Sequence, residues 1–167
     1  RDWPQPQAAR VSHPAPAPIA PDLDLPERTL VIVGDLPEPD QARRVAQWAQ
    51  ARSWPVVAEP FGELPLASTQ IAHGPLLLGT SWFAAEPPER IVVAGRVTLS
   101  RSVRAALTAD PGRVTYLRAG PRWLGPSFDV AEAVDLGVIA AVDTGADPLQ
   151  PQPTPWLSRW QRAAAAV

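Results

Sequence analysis

Apolar and polar positions along the chain alternate between two periods. Residues 29–34 (TLVIVG) form an unbroken, β-branched apolar run ending in glycine, the pattern of a strand buried on both faces. Pro37, Pro39 and Asp40 then open a segment in which Ala42, Val45, Ala46 and Ala49 recur at i, i+3, i+4 and i+7, with Arg43, Arg44, Gln47 and Gln50 turned outward. That spacing predicts an amphipathic helix. Residues 55–59 (PVVAE) supply the next strand and complete a β-α-β unit whose crossover should be right-handed. Residues 90–94 (RIVVA), 100–109 and 113–117 (RVTYL) repeat the arrangement, and a last apolar run at 137–142 (GVIAAV) reads as an edge strand. Four or five short apolar strands separated by helices predict an open α/β sheet, mostly parallel, with helices on both faces.

Proline breaks the pattern at both ends. Pro4, Pro6, Pro14, Pro16, Pro18, Pro21 and Pro26 make residues 1–27 an extended linker, and Pro148, Pro151, Pro153 and Pro155 mark a second one. The division predicted is therefore a linker over 1–27, an α/β domain over 28–142, and a linker with the start of an inter-domain helix over 143–167. Trp156 and Trp160 on that last helix are expected on apolar surface that neighbouring domains would cover.

Composition narrows the chemistry. No apolar run approaches the ~20 residues of a membrane-spanning helix. Cysteine is absent, which excludes disulfides, thiol nucleophiles and Cys-based metal sites. Fifteen cations, all arginine, stand against 17 acids for a net charge of -2 with no basic block, so nucleic acid is not an expected partner. The lack of Lys and Met leads us to expect a GC-rich source and an excised piece of a longer protein. Nothing resembles a secretory leader, and a cytoplasmic parent is the expectation.

In a parallel sheet the loops at the carboxyl ends of the strands are where a ligand is sought. The first, residues 34–37 (GDLP), lacks both G-x-G-x-x-G and the P-loop pattern, and with them the amide cradle for a diphosphate. Asp35 reads either as a ligand contact or as an acceptor of amide hydrogen bonds in the turn. The third strand leads into residues 95–102 (GRVTLSRS), which set hydroxyls and Arg101 at the start of a helix. A cation in the first turn opposes the helix dipole, so Arg101 is either functional or simply solvated or ion-paired. His73 has no second ligand at metal spacing and reads as a helix-start or packing residue, and His13 lies in the proline-rich leader. Arg122, beside Trp123, either binds an anion or holds turn carbonyls. Thr98, Ser100, Ser102 and His73 make no nucleophile-base set, and G-x-S-x-G is absent, so catalysis by these residues alone is not expected.

Five segments occur in a familiar order and spacing: RTLVIVGD at 28–35, SWPVVAEP at 53–60, His73 with its Leu-rich continuation, VAGR through TLSR at 93–101, and GPRW at 120–123. Over residues 28–128 the chain resembles the Rossmann-like central domain of the SEPHCHC synthase (MenD) family in its actinobacterial form. These are thiamine-diphosphate enzymes of menaquinone biosynthesis. The resemblance implies a homo-oligomeric parent that decarboxylates 2-oxoglutarate and adds the succinic-semialdehyde unit to isochorismate. It also implies that thiamine diphosphate and Mg²⁺ are held by pyrimidine-binding and diphosphate-binding domains outside this sequence. Gly145, Ala146 and Asp147 do not match the family's metal motif, so no cofactor or metal ligand is assigned here and the piece alone should be inactive. Arg101 falls where the family carries a Lys or Arg that helps hold a substrate carboxylate, while Ser102 stands where some relatives have a second cation. One alternative is a regulatory module in which Arg96, Arg101, Arg118 and Arg122 grip an aromatic carboxylate such as 1,4-dihydroxy-2-naphthoate. Another is the corresponding domain of a different thiamine-diphosphate enzyme, such as an acetolactate-synthase relative, which would hold FAD or a nucleotide.

Overall fold

Strands β1 (Thr29–Val33), β2 (Val56–Ala58), β3 (Arg90–Ala94), β4 (Val114–Arg118) and β5 (Glu132–Asp135) form one sheet in the order β2-β1-β3-β4-β5. All four pairings are parallel, with Val31 opposite Val56 and Val92, and Val92 opposite Thr115. The computed structural model describes residues 23–60, 68–119, 126–139 and 153–167. Its helices are α1 (Pro39–Ala51), α2 (Gly74–Leu77), α3 (Ser81–Ala85), α4 (Arg101–Ala109) and α5 (Pro155–Ala164). This is the α/β sheet that the periodicity predicts.

Strands β1 to β4 are mostly apolar because helices cover both faces, each face taking every second side chain. Val31, Val33, Val92, Ala94 and Leu117 pack with Val45, Trp48 and Ala49 of α1. Leu30, Ile32, Ile91, Val93 and Tyr116 pack on the other side with Leu77 of α2, Val103 and Leu107 of α4, and Trp156 and Trp160 of α5.

Two expectations are corrected. The strand beside β4 is Glu132–Asp135, a largely exposed segment held by backbone pairing, and residues 137–139 of the apolar run expected there are not in a strand. The strand ends where Asp135 Oδ1 accepts the Gly137 N–H at 2.8 Å, and Leu136–Val138 turns as a short 3₁₀ helix. Leu136 and Ile139 are apolar because they pack against the α1 face of the sheet, not because they belong to a strand. Residues 140–142 lie outside the described residues, as do residues 1–22 of the leader with His13, the Gly145-Ala146-Asp147 sequence and most of the second proline-rich stretch.

Trp156 and Trp160 are also not surface residues: they are 3% and 0% exposed. Trp156, Leu157, Trp160 and Ala164 make one buried stripe along α5, and Trp160 meets the Trp82 and Trp156 rings edge to face at 5.1 and 5.7 Å. The stripe is the 3.6-residue period of a helix laid on a core. The aromatic surface expected to await a neighbour is covered by this chain's own sheet.

Candidate functional site at the carboxyl end of the sheet

In the order β2-β1-β3-β4-β5 the chain leaves β1 on one side and reaches β3 on the other, so the strand order reverses between β1 and β3. Open α/β sheets hold their ligands at the carboxyl ends of the strands beside such a point. Here the two loops bond to each other across it. Asp35 N–H donates to the Arg96 carbonyl and Arg96 N–H to the Asp35 carbonyl, both at 2.8 Å, while Gly34 N–H reaches Ala94 O at 2.9 Å. The glycines serve this contact. A Cβ on Gly34 would stand 2.3 Å from Arg96 O, and one on Gly95 would stand 2.5 Å from Asp35 O at a φ of +80°. In place of the turn amides anticipated as its partners, the Asp35 carboxylate lies 3.4 Å from the Arg96 guanidinium, with both side chains about half exposed.

Neighbouring loops converge on the start of α4. Ser100 caps the helix, its Oγ accepting the Val103 N–H at 3.3 Å and standing 3.0 Å from Ser102 Oγ. Ser102 in turn donates to the Pro75 carbonyl of α2. Arg101 is the first residue of α4, exposed, with no hydrogen-bond or ion-pair partner among the described residues. The first turn contains no acid.

The acid comes from elsewhere. Glu59, directly after β2 and only 2% exposed, turns its carboxylate into the loop before α4. Its Oε2 accepts from Thr98 N–H at 2.9 Å, its Oε1 from Ser100 N–H at 2.9 Å, and Leu99 N–H lies 3.2 and 3.4 Å from the two oxygens. Glu59 is the site residue that the sequence reading overlooks. Its signal was an acid set at the carboxyl end of an apolar strand, together with a helix whose first turn lacks one.

The other arginines divide. Arg118 ends β4 in register with Asp135 and is exposed, on the same end of the sheet as Arg96 and Arg101. Arg122 lies outside the described residues. His73 precedes α2 in a left-handed conformation, φ 54°, its carbonyl accepting from Leu76 and Leu77; it starts a helix through its backbone. A small cavity of about 170 Å³ opens beside Arg96, between residues 95–98 and Pro126, Ser127 and Phe128.

Among the described residues no three His, Asp or Glu side chains converge to hold a metal ion. At the reversal point the chain's own backbone stands where a diphosphate would need free amides. The described residues thus present neither a free amide cradle for a diphosphate nor a three-ligand set for a cation. No described helix is long and apolar enough to cross a membrane.

No protein-family model matches the chain. Curated relatives do match it. The 2-succinyl-5-enolpyruvyl-6-hydroxy-3-cyclohexene-1-carboxylate synthase of Kineococcus radiotolerans is 32% identical over 165 residues, covering 96% of this chain and 28% of that protein. The chain is a homologue of one segment of this synthase family. The synthase of the same name from Nocardioides sp. is 35% identical over 142 residues, 84% of this chain and 25% of its own length. That from Saccharopolyspora erythraea is 28% identical over 172 residues, 98% of this chain and 29% of its own. The homology to SEPHCHC synthase thus runs through nearly all of the chain, which spans little more than a quarter of each synthase.

Proposed function

We propose that the chain is the central α/β domain of a SEPHCHC synthase, a scaffold that carries one substrate-binding arginine. One observation carries the reading: the similarity spans 96% of this chain but only 28% of the synthase it matches. In the whole enzyme, thiamine diphosphate with Mg²⁺, held by the pyrimidine-binding and diphosphate-binding domains, supplies the decarboxylation of 2-oxoglutarate and the carbon-carbon bond to isochorismate. The parent is a cytoplasmic homo-oligomer. The part of this chain is positional. Arg101, exposed at the end of the sheet and without a partner among the described residues, offers a planar guanidinium to a substrate carboxylate through two parallel hydrogen bonds. The Asp35–Arg96 backbone bridge supports a domain that leaves the cofactor to its neighbours.

The test compares the full-length protein containing this chain with the 167-residue chain alone. The full-length protein should consume isochorismate only when 2-oxoglutarate, thiamine diphosphate and Mg²⁺ are present, and the chain alone should consume neither acid. Turnover by the chain alone, or a full-length protein that leaves both acids untouched, overturns the reading.

A second reading rests on the cavity beside Arg96, where Arg96 and Phe128 line one space. Such a pair suits an aromatic carboxylate, with 1,4-dihydroxy-2-naphthoate as the ligand to try. Calorimetry on the chain with this naphthoate should give saturable heat that Arg96→Ala abolishes; flat titrations reject the regulatory module.

A further inference from the structure

We infer that Glu59 is a positioning residue for Arg101, acting as a built-in anion that sets the loop from which the arginine projects; the inference rests on the reading of Arg101 as a carboxylate binder. Three successive N–H groups aimed at one point just before a helix form the kind of nest that binds a phosphate or a substrate carboxylate. In this chain the nest is filled by the carboxylate of Glu59, which is 2% exposed and contacts all three donors.

Three consequences follow from that geometry. The carboxylate supplies the negative charge that the amino end of α4 favours and that its own first turn, beginning with Arg101, lacks. It also uses up the loop amides, so an incoming anion at this end of α4 meets the Arg101 guanidinium rather than the backbone. Finally, it fixes the place of Arg101 from two directions. Glu59 ties residues 98–100 to the end of β2, and Ser102, one residue beyond the arginine, ties α4 to the Pro75 carbonyl. An arginine whose backbone is held on both sides reaches a substrate with less ordering left to do, which is the advantage of preorganisation.

The experiment uses Glu59→Gln and Glu59→Ala. Glutamine keeps the size but turns an NH₂ donor toward N–H donors, and alanine leaves a space of carboxylate shape. In the 167-residue chain, amide exchange at Thr98, Leu99 and Ser100 should accelerate in both variants, and Glu59→Ala should lower the Tm by about 10 °C. Sodium formate, compared with sodium chloride at equal ionic strength, should restore the protection and part of the Tm in Glu59→Ala and change nothing in the parent sequence. A residue that merely fills space would not be rescued by a carboxylate. In the full-length protein Glu59→Gln should raise the KM of the carboxylate substrate about tenfold with kcat within about twofold, and add little to Arg101→Ala in the double variant. Unchanged amide exchange in Glu59→Gln, or no response of Glu59→Ala to formate, overturns the role of Glu59 as loop anion. Full additivity with Arg101→Ala overturns its action through the arginine. If Arg101→Ala alone leaves the KM untouched, it is the reading of Arg101 that fails, while the amide and formate results still decide whether Glu59 sets the loop.

Discussion

Trp156 and Thr29 are bonded to each other across the molecule: the indole Nε1–H donates to the Thr29 carbonyl at 2.9 Å, joining positions 127 apart in sequence. The bond pins α5 to the first residue of β1, and the rings of Trp156 and Trp160 cover the sheet beneath it. Trp156→Phe, which removes the donor and keeps most of the ring, should cost about 1–2 kcal/mol in urea unfolding, and Trp156→Ala about 3–5 kcal/mol. A chain ending at Pro153 should lose its cooperative transition, since Leu30, Ile32 and Val57 would then share a face that α5 no longer shields.

Gly95 is required by the backbone bridge. Its φ of +80° and the 2.5 Å approach of a Cβ to Asp35 O make Gly95→Ala costly, on the order of 3 kcal/mol or more in the same assay. Gly112→Ala is the control, because there the added methyl meets only the side-chain Oδ1 of Asp110, at 3.2 Å, in an exposed 3₁₀ helix. Its effect should stay within about 0.5 kcal/mol.

Arg96 and Arg101 should separate stability from binding. The Asp35–Arg96 ion pair spans 3.4 Å between half-exposed side chains, so Arg96→Ala should cost only about 0.2–1 kcal/mol, the bridge itself being backbone. Arg101→Ala should leave stability within about 0.5 kcal/mol, since it removes an exposed cation from the unfavourable end of a helix dipole. In the full-length protein the same change should raise the KM for the carboxylate substrate by about 10- to 100-fold, the loss of one or two charge-assisted contacts. A thermal melt and steady-state kinetics on the same variants check both expectations.

Tyr116 is the single tyrosine, so the rise in absorbance near 295 nm on alkaline titration, above the constant background of the seven tryptophans, follows it alone. Burial on β4 raises its pKa above the ordinary value of 10.0, because the phenolate is disfavoured away from water. Unfolded chains therefore lose this proton first. The stability tied to the neutral phenol is complete below pH 10 and is lost as pH climbs from there through the folded value. The native chain should show a delayed tyrosinate signal that moves back toward 10 in urea, and Tyr116→Phe should flatten part of the alkaline decline in Tm.

Much of the fold was legible. Short, mainly apolar runs marked β1, β3 and β4, and the i, i+3, i+4, i+7 spacing marked α1, because each pattern records locally which side chains must be buried. The edge strand escaped since Glu132–Asp135 is held by backbone pairing, which no side-chain period announces. The tryptophans of α5 were misjudged because proline-rich neighbours made the segment look like a linker, and what it packs against lies far away in sequence. Arg101 was singled out by its conflict with the helix dipole. Glu59, which resolves that conflict, was not, because its partners lie 39 to 41 residues downstream.

The amino-acid order alone determined the succession of strands and helices, the exclusion of cysteine chemistry and the likeness to the synthase family, since all three are properties of composition, local period or ordered short segments. Only the tertiary structure decided that the loops after β1 and β3 close on each other, that α5 belongs to the core, and that a carboxylate from the end of β2 caps the loop before α4. Those are meetings between distant parts of the chain. A hydrophobic period says that a face must be covered, and the path of the backbone through space says which residues cover it.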